Sequence, residues 1–369
     1  MRRLLIALPN DTLGGAEQYL KMVCTHFASE GDQVHILFLK RKESSSWEDL
    51  EGLQNVIQYF TKASSEKQGL VAFLINIWKI RKYTYDYVFT SHVHLTGLLG
   101  VLCRLRILEK KYFVGRESTL IFDRFKGIKL LLFKLNYFLG YPALDLLICQ
   151  TEIMLRQFRD NLPVLSKKIR SNVIPNPISW EQLYGNDCLP ISFGGENRLI
   201  VAAGRLIPEK GFDILIHAVK NILDVLPDCK LLIFGEGYER DRLMRLISQL
   251  NVEERVILMG YEKNVIPFFQ AADLCVVSSI IEGFPNVLLQ MMAKNVNIVS
   301  TLCAGGINDI KGLYIAKPGN IRDLENSLKR CLDSDNTSNR RIFDNYLADR
   351  RIDKFILKVD QNLSLSIQD

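Results

Sequence analysis

The feature that most constrains this chain is a rhythm that runs, stops and then starts again. Short apolar runs alternate with helix-length segments at residues 4–8, 17–27, 34–39, 70–80 and 87–90, and further apolar runs follow at 112–114 and 146–149. Near-continuous apolar runs of four to eight residues are what strands buried on both faces look like. Strands joined through helices must run parallel. The pattern lapses over residues 185–198, which contain Gly185-Asn186-Asp187 and Phe193-Gly194-Gly195-Glu196-Asn197. It resumes with strands at 199–203, 231–234, 256–259, 273–277 and 297–301, and helices at 212–225, 240–250 and 287–293.

At 369 residues the chain exceeds one ordinary core and suits two. The expected organisation is a Rossmann-like domain over residues 1–180, a linker over 181–198 and a second such domain over 199–350. Residues 351–369 should form a C-terminal helix, because Ile352, Phe355, Ile356 and Val359 fall on one helical stripe, and it is expected to pack back across the domains. The fold class is therefore α/β, with two doubly wound parallel-sheet domains. Such sheets bind ligands at the carboxyl ends of their strands, and two of those edges facing each other make a shared cleft.

The opening Met1-Arg2-Arg3-Leu4-Leu5-Ile6-Ala7-Leu8 stops at Pro9-Asn10-Asp11, short of a secretory core or a membrane span, so a first strand is expected. Eight scattered cysteines without a Cys-x-x-Cys pair read as reduced packing residues in a cytoplasmic protein. Net charge is unevenly spread. Residues 1–180 hold 25 Lys and Arg against 16 Asp and Glu, or +9, while the remainder holds 22 against 25, or −3. A basic first half suits an anionic membrane surface or a polyanionic lipid carrier. No basic stripe interleaved with aromatics appears, so nucleic acid is not an expected partner.

Five loops follow strands and carry the candidate chemistry. Gly14-Gly15-Ala16-Glu17 leaves backbone N–H groups at a helix start, either as a phosphate cradle or as a tight turn with Glu17 serving the helix dipole. Gly204-Arg205-Leu206-Ile207-Pro208-Glu209-Lys210-Gly211 places a planar guanidinium and a point-charge ammonium in one loop, where both could converge on an anion. Gly235-Glu236-Gly237 marks close backbone approach. Glu282-Gly283-Phe284-Pro285-Asn286-Val287 joins a strand to a helix and brings an acid and several amides to one edge. Cys303-Ala304-Gly305-Gly306 supplies another glycine pair.

Together these loops resemble those of the family 4 retaining glycosyltransferases of the GT-B architecture. The likeness covers nearly the whole chain. It is carried by Gly14-Gly15-x-Glu17, Val173-Ile174-Pro175-Asn176-Pro177, Gly204-Arg205…Lys210-Gly211, Gly235-x-Gly237, Ala272-Asp273, Ser279-x-x-Glu282-Gly283-Phe284 and Gly305-Gly306, in the family's order.

The resemblance implies that the second domain holds a nucleotide diphosphate and the first most of the acceptor. Arg205 and Lys210 would grip the diphosphate and stabilise the leaving group without a metal or cofactor. Glu282 would bind donor-sugar hydroxyls. The amides around Gly283, Phe284, Pro285, Asn286 and Val287 would read sugar and phosphate oxygens, with Gly14, Gly15, Gly204 and Gly235 framing the phosphates. The implied reaction moves a hexose or N-acetylhexosamine from a UDP-sugar, with retention, onto a polyprenyl-diphosphate-linked glycan. It would serve surface polysaccharide such as O-antigen or capsule, at the inner face of the cytoplasmic membrane.

Two positions depart from the family pattern. Its second acid, expected to reach the ribose, is Gln290 here. The loop after the strand at 112–114, where many members carry a histidine, reads Gly115-Arg116-Glu117-Ser118, making Arg116 and Glu117 candidates for acceptor or sugar contact. His92 and His94, one strand earlier, read as sheet-end residues. Residues 122–141 mix aromatics and leucines with Lys126, Lys129 and Lys134, which suits either a buried helix or one touching lipid headgroups. Two rival functions share the fold: an isomerase acting on the UDP-sugar, and a degenerate nucleotide-sugar binder suggested by Gln290. A nicotinamide enzyme is disfavoured, since no Gly-x-Gly-x-x-Gly follows the first strand.

Overall fold

A computed structural model describes residues 1–41, 45–60, 66–185, 198–224, 226 and 228–365; side chains are described at all of these except Ser45 and residues 66–72. The chain divides into two units, residues 1–177 with 352–369, and residues 178–351. The described residues form one parallel sheet in each.

In the first unit the strands are β1 (Arg3–Asn10), β2 (Gln33–Lys40), β3 (Val56–Tyr59), β4 (Thr84–Thr90), β5 (Glu109–Arg116), β6 (Leu146–Cys149) and β7 (Ser171–Val173). Their order in the sheet is β3-β2-β1-β4-β5-β6-β7. Pairing therefore runs outward from β1 in one direction, then jumps back to β4 and runs in the other. β1 pairs with β2 and β4, and Leu4 to Leu8 are fully buried, which is why this strand reads as an unbroken apolar run.

Two cores flank the sheet. One packs the helix Gly15–Ser29 and the C-terminal helix Ile352–Ser364 against Leu4, Ile6 and Leu8. Phe355 meets Tyr19 edge-on at 5.5 Å, and Asp360 accepts from the Tyr87 hydroxyl at 2.7 Å. The C-terminal stripe is thus a core face of the first unit. The other core holds the helices Val93–Arg104 and Gly127–Gly140. These two pack backbone to backbone: a Cβ on Gly100 would lie 2.1 Å from the Gly140 carbonyl oxygen.

In the second unit the strands are β8 (Leu199–Ala203), β9 (Lys230–Phe234), β10 (Val256–Gly260), β11 (Leu274–Val277), β12 (Ile298–Thr301) and β13 (Tyr314–Ala316). Their order is β10-β9-β8-β11-β12-β13, the same reversal about a central pair. The boundary between the units differs from the one read in the sequence. The helix Trp180–Tyr184 belongs to the second unit, where the Tyr184 hydroxyl donates to Asp344 at 3.0 Å and Trp180 stacks on Tyr184 at 4.1 Å. Of the expected linker, residues 186–197 lie outside the described residues.

Candidate active site

In an open sheet of this order the strand ends splay apart where the order reverses, leaving a crevice. In the second unit that point lies between β8 and β11, and the Arg205–Lys210 loop and the Glu282 loop both arise there.

After β8 the chain passes Gly204 and exposed Arg205, then makes a short 3₁₀ turn, Pro208–Lys210. Gly211 sits in the left-handed region at φ +60° and opens the helix Phe212–Leu223. A Cβ there would lie 2.4 Å from the Ser278 carbonyl oxygen. The close approach lets the Ser278 hydroxyl donate to the Lys210 carbonyl at 2.9 Å and the Ile280 amide to the Glu209 carbonyl at 2.7 Å. The loop is thereby stitched to the end of β11. Thr301, at the end of β12, donates to the Ser279 carbonyl at 2.5 Å, and the Glu282 amide donates to the Cys303 carbonyl at 2.8 Å.

The ends of β8, β11 and β12 therefore fix one cluster. Lys210 Nζ lies 2.5 Å from Glu282 Oε1, and the Ser279 hydroxyl donates to the same oxygen at 2.7 Å. Both charged side chains are 16 % exposed. Gly235, at φ +136°, brings the end of β9 against the same loop, where a Cβ would fall 1.9 Å from the Gly204 carbonyl oxygen.

The run after Glu282 is firmly held. Gly283, Phe284 and Pro285 are buried, Arg350 lies over the Phe284 ring at 5.0 Å, and Pro285 precedes the helix Asn286–Lys294. Asn286, Val287 and Gln290 are half-buried on that helix. Gln290 is thus neither a core residue nor a fully solvated one. Asp273, another residue of the family pattern, is structural: it accepts from the Leu199 amide at 2.7 Å and ties β8 to β11.

The first unit repeats this placement at its own reversal, between β1 and β4. Gly14 caps the helix Gly15–Ser29, and its amide donates to the Glu17 carboxylate at 3.1 Å, so Glu17 already engages part of the expected phosphate cradle. Glu17 also meets His92 Nε2 at 3.0 Å. Burial works against its charge, yet the His92 contact and the backbone amides outweigh it and hold the carboxyl below the ordinary glutamate value.

Arg116 and Glu117 are both buried, and they leave the end of β5 on opposite faces of the sheet. Arg116 donates to Ser91 at 2.8 Å and to Asn176, and lies 4.4 Å over the Tyr19 ring; burial lowers its pKa to about 10. Glu117 accepts from the Tyr137 and Tyr141 hydroxyls, each at 2.9 Å. Burial raises its pKa to about 7 against those hydrogen bonds and the Arg116 charge. Neither is an open surface contact of the kind expected of an acceptor loop. They brace the strand ends, together with Asn176 and Gln150, which bond to each other at 2.8 Å.

Sequence reasoning named Arg205, Lys210 and Glu282 but missed the residues that lock them, Ser278 and Thr301, and also the Glu17–His92 contact. Among the described residues no group of three or more His, Cys, Asp or Glu is arranged to hold a metal. The chain's Asp-x-Asp, Asp333-Ser334-Asp335, follows the helix Ile321–Leu332, and Asp335 there accepts from the Thr337 amide at 3.0 Å.

Comparison with known proteins bears on the family and the fold. Residues 13–182 match the sequence model of Glycosyltransferase Family 4, and residues 191–346 that of the Glycosyl transferases group 1. An uncharacterized glycosyltransferase of Methanocaldococcus jannaschii is 28% identical over 63% of this chain and 59% of its own length. The Campylobacter jejuni enzyme named N-acetylgalactosamine-N,N'-diacetylbacillosaminyl-diphospho-undecaprenol 4-alpha-N-acetylgalactosaminyltransferase is 28% identical over 53% of each chain. The Rhizobium meliloti lipopolysaccharide core biosynthesis glycosyltransferase LpsE is 31% identical over 58% of this chain and 64% of its own. The matches thus span between half and two thirds of these relatives.

Solved structures share the fold. HepE of Anabaena, crystallised with UDP, has a TM-score of 0.75 at 17% identity, covering 99% of this chain and 100% of that one. Sucrose-phosphate synthase of Thermosynechococcus elongatus has a TM-score of 0.79 at 17% identity, covering 100% of both. With both halves matched in order and the loops of the second sheet in place, the chain belongs to the family 4 glycosyltransferases of the GT-B architecture.

Proposed function

We propose that this chain transfers a hexose or N-acetylhexosamine from a UDP-sugar, with retention of configuration, to a polyprenyl-diphosphate-linked glycan in surface polysaccharide synthesis. The observation that carries the reading is the cluster at the β8–β11 reversal. There a buried-stem lysine, a carboxylate and an exposed arginine sit on loops pinned to three strand ends. The Campylobacter relative's name supports a lipid-linked acceptor, and the UDP in HepE supports the nucleotide.

In this reading Lys210 exchanges part of its contact with Glu282 for the donor's diphosphate, and Arg205 closes on the same anion. Glu282, still held by Ser279, turns its remaining acceptor capacity to sugar hydroxyls. The bond from the anomeric carbon to the diphosphate oxygen breaks while the acceptor hydroxyl adds on the same face. The leaving oxygen takes the hydroxyl's proton. Two fixed cations stabilise the charge that develops, so no metal is required.

The test is turnover of UDP-sugars with a polyprenyl-linked disaccharide, with the anomeric configuration of the product read by NMR. Arg205→Ala and Lys210→Ala are each expected to lower kcat/KM about a hundredfold or more, with the melting temperature unchanged. Activity should persist in excess EDTA. Wild-type rates in the double variant, an inverted product, or loss in EDTA restored by magnesium would each overturn the corresponding step.

A further inference from the structure

The helix Gly127–Gly140 carries two apolar faces on opposite sides, and among the described residues only one has a partner. Inward, Tyr137 and Gly140 are buried, and Leu130 and Phe133 pack against the core. Outward stand Ile128 (78 % exposed), Leu131 (65 %), Leu132, Leu135, Phe138 and Leu139, each at least 47 % exposed. At 100° per residue these six fall within an arc of about 120° centred opposite Tyr137. Scattered exposed leucines are ordinary, whereas a contiguous stripe on one helix marks an interaction surface.

We propose that this outward stripe seats the protein on an anionic lipid surface. The helix has no acidic residue, and Lys129 and Lys134 flank the stripe on either side, with Lys126 just before its first turn. Apolar side chains bordered by basic stems suit a helix lying in the plane of the headgroups, with lysines reaching the phosphates. Its 14 residues are too few to cross a bilayer, and no helix among the described residues is long and apolar enough to do so.

A second copy of the chain fits the stripe less well. A two-fold contact through it would bring two sets of lysines together, whereas anionic headgroups neutralise them. The net +9 of residues 1–180 has the same sign preference. The inner face is rigidly docked: Gly97 and Gly100 admit the helix to backbone contact, and Arg104 donates to the Leu139 carbonyl at 2.6 Å. The stripe is therefore presented as a fixed surface, independent of the transferase reading.

The experiment uses the full chain in vesicle flotation, with phosphatidylcholine alone and with 30 % phosphatidylglycerol. Wild type is expected to float with the anionic vesicles and to bind neutral ones at least tenfold more weakly, with binding that falls as salt rises. The combined Ile128→Ser, Leu131→Ser and Leu135→Ser variant should bind anionic vesicles at least tenfold more weakly with unchanged melting temperature. Should that variant fail to fold, Phe138→Trp in a chain whose Trp78 and Trp180 are replaced by phenylalanine, compared with the same chain keeping Phe138, decides the matter through a blue shift in tryptophan emission on adding anionic vesicles. Absence of wild-type flotation, equal flotation of the serine variant, or no spectral shift at Trp-substituted 138 overturns the proposal. So does a wild-type dimer that the serine substitutions dissociate without any vesicle binding.

Discussion

Replacing Glu117 with glutamine should change how the first unit's stability depends on pH, and by an amount the structure sets. The carboxyl is 4 % exposed. Burial lifts its pKa from 4.5 to about 7, while the Tyr141 and Tyr137 hydroxyls and the Arg116 charge pull the other way. A folded-state pKa above the unfolded one means that folding favours the protonated acid. The stability it contributes is complete below about pH 4.5 and is lost as pH rises through 7. With these two values, a single site loses on the order of 2–3 kcal/mol between pH 5 and pH 8.5. Glutamine keeps the shape and has no proton to lose, so the stability of wild type relative to Glu117→Gln should fall by about that amount over the same range. Denaturant melts followed through Trp47, which is 1 % exposed in the first unit, isolate the transition once Trp78 and Trp180 are replaced by phenylalanine. Other titrations cancel in the difference. Tyr137→Phe removes a donor to the charged form and should move the window to higher pH. A wild-type-minus-variant difference that stays level from pH 5 to pH 8.5 would show that Glu117 does not hold its proton in the folded chain.

His35 predicts the opposite slope. It is fully buried beside the Tyr85 hydroxyl at 2.7 Å, and burial, with the Arg3 charge, lowers its pKa to about 4. Its stability contribution is present above pH 6.5 and lost as pH falls, so wild type should lose about 3 kcal/mol relative to His35→Leu between pH 7 and pH 4 in the same melts. Gly235→Ala should destabilise the second unit by at least about 2 kcal/mol, since its Cβ would meet a backbone oxygen that cannot rotate away; an unchanged melting temperature would contradict that packing. At Gln290, an amide offers one acceptor oxygen where a carboxylate offers two. Gln290→Glu should leave the donor KM unchanged or lower it, and Gln290→Ala should raise it several-fold; identical constants in all three would separate residue 290 from the ribose.

Much of the fold was legible because parallel strands buried on both faces advertise themselves. The runs Leu4–Leu8 within β1, and those of β8 and β11, are apolar throughout, and the sequence places each within two residues of the observed strand start. Three of the four edge strands do not: β3 has no buried residue in its four, and β7 and β13 are three residues each, too short for any period to show, whereas the edge strand β10 shows as the run at 256–259. The helix Trp180–Tyr184, which straddles the expected end of the first domain and the expected linker, gives no local sign of its place because its partners, Asp344 and the helix Asn286–Lys294, lie 100 residues and more away in sequence. The helix Gly127–Gly140 leaves two readings open in the sequence because it carries two apolar faces, one packed into the core and one exposed. At the candidate site, Arg205, Lys210 and Glu282 stood out by residue type and loop context. Arg116 and Glu117 stood out equally well, yet they are buried braces. Charge in a strand-end loop signals importance, but only the tertiary partners say whether a side chain faces a ligand or its neighbours.

The two sheets show why the informative residues cluster as they do. Each reverses direction about a central pair, β1 with β4 and β8 with β11, and at each reversal an acid from one loop meets a base from the other. Glu17 and His92 are 75 positions apart in sequence, and Lys210 and Glu282 are 72, so neither pairing is visible to any local pattern. Topology makes both possible, because only at the reversal do two loops leave neighbouring strands in opposite directions and uncover a crevice. The pairs differ in what surrounds them. Glu17 is drawn down onto the Gly14 amide and held charged inside its own loop, whereas Glu282 is held from one side by Ser279 and Lys210, beside exposed Arg205. The first arrangement already uses a backbone donor that an anion would need. The second brings two cations to the reversal from a single loop, and the proposed diphosphate site rests on that difference.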